Sequence, residues 1–220
     1  MLQVLYVLFF FSGVSSLIFE TVFTRLLTYT FGNTAYAVST VLAAFLGGLA
    51  LGALLIGRWV DRRPPSLLVY GGLELLVGVY CLFIPMLFGL MTESYVFLFH
   101  RFQLGAGALT MVRFGLATLV MLFPTMLMGG TLPALARYVS SECPEFQVEV
   151  DRLYAWNTSG AALGVLASTF VLTPLGGVAW TIRIACAINF LIFASVVSRR
   201  ERALELAPAA PELNVDLSIE

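Results

Sequence analysis

Ser39-Thr-Val-Leu-Ala-Ala-Phe-Leu-Gly-Gly-Leu-Ala-Leu-Gly52-Ala-Leu-Leu-Ile-Gly57-Arg58-Trp-Val-Asp61-Arg62-Arg63-Pro64-Pro65 decides the fold class. No charged residue occurs between Arg25 and Arg58, and the apolar run then stops at once in a basic, proline-closed turn. A membrane-crossing helix needs about 20 mostly apolar residues with charge held at its ends. The rest of the chain repeats the pattern. Of 220 residues 60% are hydrophobic and 11% charged, against roughly 45–50% and 25% in soluble domains. So few charges cannot cover a soluble surface around that apolar volume. The net charge of -1 excludes the basic patch of a nucleic-acid binder.

Windows of membrane-spanning length divide the chain into six apolar segments: 2–23, 35–58, 66–90, 109–131, 153–174 and 178–198. The expected fold is therefore all-α, a polytopic bundle of six transmembrane helices over residues 1–202. The first segment lacks a basic n-region and an A-x-A site, so it reads as a span and not as a signal peptide. All twelve basic residues are arginine, and eight fall on one side. Arg58, Arg62 and Arg63 follow the second segment, Arg137 and Arg152 flank the fourth loop, and Arg199, Arg200 and Arg202 follow the sixth. The positive-inside rule makes that side cytoplasmic and puts both termini there. A multi-pass protein of a cell membrane of the bacterial inner-membrane type is expected. Residues 203–220 carry prolines and acids without a basic residue, the composition of a tail disordered by itself. Segment 92–108 is dense in aromatics and reads as an interfacial helix, where His100 meets headgroups.

Charge inside a membrane marks a functional candidate. Glu74 lies about nine residues into the third segment, near mid-depth at ~1.5 Å per residue. Glu20, Arg113 and Arg183 sit nearer the outer ends of their segments, and Arg25 and Arg101 sit in or beside outer loops. Two arrangements suit this set. One is an outward-facing polar cavity for an anionic or zwitterionic small molecule; the other is an ion-pair layer in which Glu20 meets Arg113 or Arg183. Gly48-x-x-x-Gly52 and Gly160-x-x-x-Gly164 predict close helix contacts. Pro85, Pro124 and Pro133 predict kinks. Cys81, Cys143 and Cys186 are isolated, without metal-ligand spacing, and read as free thiols; no cofactor is expected.

Two resemblances follow. Gly57, Arg58, Asp61, Arg62 and Arg63, at the spacing quoted above, resemble the cytoplasmic signature loop of major facilitator transporters. Six spans would equal one half of that fold. Four further segments are similar, in order, to the membrane part of membrane-integrated spermidine synthase-like proteins. They are Phe10-Phe-Ser-Gly13 with Ile18-Phe-Glu20, Thr24-Arg-Leu-Leu27 and Phe31-Gly-Asn33; Ser39 to Gly52; Pro124-Thr-Met-Leu-Met-Gly-Gly-Thr-Leu-Pro133; and Leu153-Tyr-Ala-Trp-Asn157-Thr-Ser-Gly160-Ala-Ala-Leu-Gly164. The last adds Asn157 to the candidate polar residues. In that family a cytoplasmic aminopropyltransferase-like domain follows the membrane part. The resemblance covers the membrane part alone, and eighteen residues after Arg202 hold no such domain. The sequence thus leads to a non-catalytic membrane module, an anchor or accessory subunit held in the bilayer beside a protein partner or a second copy. The alternative is a carrier of polyamines or amino-acid-like molecules, working as a dimer of six-helix halves. A membrane enzyme is disfavoured, since no nucleophile has a base beside it.

Overall fold

The computed structural model describes residues 2–31, 35–102, 105–142 and 145–205. Gly32, Asn33, Cys143 and most of the acidic tail lie outside them. Every described element is helical: α1 Leu2–Phe31, α2 Ala35–Asp61, α3 Leu67–Leu82, α4 Ile84–Phe102, α5 Ala106–Glu142, α6 Phe146–Ala167, a π-helical stretch Ser168–Leu172, and α7 Thr173–Glu205. Four stretches are long and apolar enough to cross a membrane: Leu2–Tyr29, Val38–Asp61, Gly107–Glu142 and Phe146–Arg199. The α3–α4 pair makes a fifth if its bent halves count as one span. Large apolar side chains cover the outside, with Phe170 72% and Leu175 79% exposed. Water would penalise such a surface, whereas lipid would not.

Prolines set the breaks and the kinks. Pro64-Pro65 ends the turn after α2, and the Ser66 side chain caps α3 by accepting from Leu68 N at 3.3 Å. Segment 66–90, expected as one span, bends by 50°. Pro85 explains the bend. It would clash with the Cys81 carbonyl in a continuous helix, but it fits the first turn of a new one. Pro124 and Pro133 lie inside α5 without ending it. Pro124 offers no N–H to the Val120 carbonyl, and the Tyr80 hydroxyl donates to that oxygen instead, at 2.9 Å. The stretch between the expected segments 109–131 and 153–174 is mostly helix, because α5 runs to Glu142 and α6 starts at Phe146.

The stretch Phe146–Arg199 is 54 residues long, which would measure about 80 Å as one straight helix. It is not straight. Gly177 takes φ 74° and ψ 177°, which is not helical. The hydroxyl oxygens of Thr173 and Thr181 are 3.4 Å apart, although eight helical residues would separate them by about 12 Å. The chain therefore folds back on itself here, at Leu175-Gly176-Gly177, the gap between the expected segments 153–174 and 178–198. That backbone region is essentially closed to residues with a Cβ, and no atom lies within 4 Å of where the Gly177 Cβ would be. Gly177→Ala is accordingly expected to cost about 1–3 kcal/mol through the backbone alone. Unfolding by denaturing detergent in mixed micelles measures it.

Side-chain pairs give the helix directions. Asn157 meets Phe9, Gly160 meets Phe10, Gly164 meets Val14 and Ser168 meets Thr21, so α1 and α6 run parallel. Gly48 against Thr125, Gly52 against Met126 and Gly57 against Pro133 make α2 and α5 parallel. Phe9 on Tyr70 and Ser12 on Glu74 make α1 and α3 parallel. Gly71 against Val196 and Gly78 against Phe190 make α3 and the part of α7 after Gly177 antiparallel. Phe9, Phe19, Phe23, Tyr70, Met121 and Leu153 fill the space between these helices.

Candidate functional site

Three helices bring polar groups to one buried region. On α1, Ser12 lies ten residues after Leu2; on α3, Glu74 lies eight after Ser66; on α7, Asn189 lies twelve after Gly177. At ~1.5 Å per residue each is about 12–18 Å from its helix end, near the middle of the bundle. Glu74 is 2% exposed, and the Ser12 hydroxyl donates to its Oε1 at 2.5 Å. Ser15, one turn on, donates to the Ser12 carbonyl at 3.0 Å. Tyr70 sits one turn before Glu74, close enough to couple electrostatically with its carboxyl. Its hydroxyl is buried beside that carboxyl and Ser12. Asn189 is fully buried, and neither Nδ2 nor Oδ1 has a partner among the described residues. Its Cβ lies 3.3 Å from where a Gly78 Cβ would be, one turn beyond Glu74 on α3.

This cluster can hold a proton or a hydrogen-bonding guest. Among the described residues no group of three or more His, Cys, Asp or Glu is gathered for a metal.

The other residues singled out from sequence divide among different places. Asn157 lies on the opposite side of α1 from Glu74, where its Nδ2 donates to the Phe9 carbonyl at 2.9 Å and ties α6 to α1. Glu20 and Arg25 are half-buried on α1, and Arg183 is exposed. Arg113 lies on α5, its side chain outside the described residues. The expected ion pair of Glu20 with Arg183 does not form. Helix α7 packs inward through Ile182, Ala185, Cys186 and Asn189, and residue 183 lies about 100° around the helix from 182, off that stripe. The described residues hold one ion pair, an exposed Arg152 with a largely covered Glu149 at 3.0 Å, and the Tyr6 hydroxyl of α1 also donates to that carboxylate. Of the signature-loop residues, Gly57 is buried and Arg58, Asp61, Arg62 and Arg63 are exposed. The Arg63 guanidinium stacks over Trp59 at 4.2 Å.

Ser12, Tyr70 and Asn189 were not among the residues the sequence singled out. Asn189 carries a visible signal, a lone amide inside Ala-Ile-Asn-Phe-Leu. Ser12 and Tyr70 carry none, since single hydroxyls in apolar helices are common and bond their own backbone. Compared with protein families, curated proteins and solved structures, the chain matches none.

Proposed function

We propose that these residues form a non-catalytic, six-pass integral membrane module, with both termini on the arginine-rich side of a cell membrane, that serves as scaffold in a larger membrane assembly. Six passes follow if α3–α4 counts as one bent span and Gly177 separates two. The helix directions support this, because α1, α3 and α6 share one direction and α7 after Gly177 takes the other.

One observation carries the assembly reading. Inside the bundle, small residues mark where helices touch, as at Gly48, Gly52, Gly160 and Gly164. Helix α2 repeats the pattern on a second face. Ala43 and Ala50 are exposed there, with Gly47 between them and no atom within 4 Å of its would-be Cβ. In lipid, apolar faces do not drive association, and small residues that permit close approach do. A neighbouring helix of the assembly suits this face. Gly47→Leu tests the reading. Particles extracted in native lipid with a polymer belt are expected to weigh more than one chain, and to lose that excess in Gly47→Leu without a fall in unfolding midpoint. Single-chain particles for the natural sequence would refute it.

A second reading, a small-molecule carrier, is favoured by the buried Asn189 amide, which has no partner among the described residues, one turn from Glu74. Flux of polyamines or amino acids into reconstituted vesicles that disappears in Glu74→Ala would favour it over the scaffold.

A further inference from the structure

At the arginine-bearing end of the bundle, the last turns of α2 and α5 border a cleft of about 530 Å³ lined by Arg58, Asp61, Pro133, Arg137, Ser140 and Phe146, among others. It is an open depression at the surface and not an enclosed cavity. We infer that the cleft is a phosphate-binding site held by Arg137 and Arg58, occupied by the headgroup phosphate of a lipid or by a free phosphate compound.

Arg137 carries the inference. Its Nε is buried and has no acceptor among the described residues, and no carboxylate among them lies within ion-pair distance of it or of Arg58. A buried donor normally has a partner, and each missing one calls for an explanation. The guanidinium presents its donors as a planar fork, which phosphate oxygens match two at a time. Arg58 faces the same cleft from α2 and also borders a second one with Trp59, Arg62 and Arg63. Two features oppose an anion: the Asp61 carboxylate and the carbonyl end of α2. Both belong to the α2 wall. The α5 carbonyl end also reaches the cleft, at Ser140, but Arg137 lies more than one turn before Glu142, where that end acts less. The phosphate therefore sits toward Arg137, with Arg58 closing over it and Phe146 supplying an apolar border.

The bland alternative is diffuse attraction of arginines to a charged membrane surface, which would treat Arg62, Arg63 and Arg137 alike. Only the lipid source rests on the membrane reading; the phosphate chemistry does not. The test uses the full chain in neutral detergent, with the unfolding midpoint followed as phosphatidylglycerol, diacylglycerol or sodium phosphate is added. Phosphatidylglycerol is expected to raise the midpoint and phosphate-free diacylglycerol is not. The half-effect concentration should rise about tenfold or more in Arg137→Gln, the loss of a charge-assisted contact, and stay within about twofold in Arg62→Gln. If sodium phosphate raises the midpoint with the same dependence on Arg137, the site stands and its occupant is soluble. Equal loss in both variants, or no rise with either phosphate probe, overturns it. Should Arg137→Gln fail to fold, Arg58→Gln replaces it under the same criteria. Because Gly47 lies on another face of α2, failure here leaves the scaffold reading intact.

Discussion

Gly160→Ala is expected to destabilise the bundle by about 1–3 kcal/mol, and Gly160→Leu to prevent accumulation of folded protein. The alanine Cβ would overlap the backbone carbonyl of Phe10, and at Gly164 that of Val14. Neither obstacle is the end of a flexible side chain, so relief requires α1 and α6 to move apart as a unit. That movement also pulls Asn157 from the Phe9 carbonyl and Ser168 from Thr21. One methyl group thus costs packing and two hydrogen bonds together. Gly115→Ala makes the matching control. No atom lies within 4 Å of its would-be Cβ, and alanine favours helix over glycine by up to about 1 kcal/mol. Titration with denaturing detergent should therefore move the two alanine variants in opposite directions. Equal midpoints would show that α1 and α6 are not locked at Gly160.

The second large effect lies at Glu74, where the sign depends on which partner is removed. Ser12→Ala takes away the hydroxyl that donates to the buried carboxyl. An unsatisfied buried group of this kind costs about 1–3 kcal/mol. Glu74→Leu removes the carboxyl itself at nearly constant volume, and replacing both partners of a buried hydrogen bond by apolar groups can be nearly neutral or stabilising. The double variant Ser12→Ala/Glu74→Leu is expected to recover most of what Ser12→Ala loses. A double-mutant cycle read by unfolding should show that coupling. Additive effects would mean that Ser12 and Glu74 do not act as a pair.

Both sites show how far sequence reasoning reaches. Gly160 and Gly164 were legible as a close-contact motif, and Glu74 as a charge at mid-depth, because spacing and composition are local properties. Their partners were not. Phe10 and Ser12 lie far off along the chain, and only the parallel packing of α1 with α6 and α3 brings them near. The turn at Gly177 was legible from two adjacent glycines between apolar runs. The bend at Phe83 was half legible, since Pro85 announced a break without saying that α4 would leave α3 at 50°. The Glu20–Arg183 pair failed for a geometric reason: depth along a helix follows from residue number, but facing requires knowing which stripe of α7 packs inward. Asn189 carries no charge and lies in none of the resembling segments, one of which marks Asn157.

The six-pass topology with both ends on the arginine-rich side is tested most directly by single cysteines in a background with Cys81, Cys143 and Cys186 replaced by serine. Gln3→Cys, Arg62→Cys, Leu175→Cys and Ser198→Cys all fall at exposed positions. An impermeant thiol reagent applied to sealed, oriented vesicles should modify Gln3, Arg62 and Ser198 from one side, and Leu175 from the other. Labelling of Leu175 and Ser198 from the same side would contradict the crossing after Gly177, and with it the six-pass module.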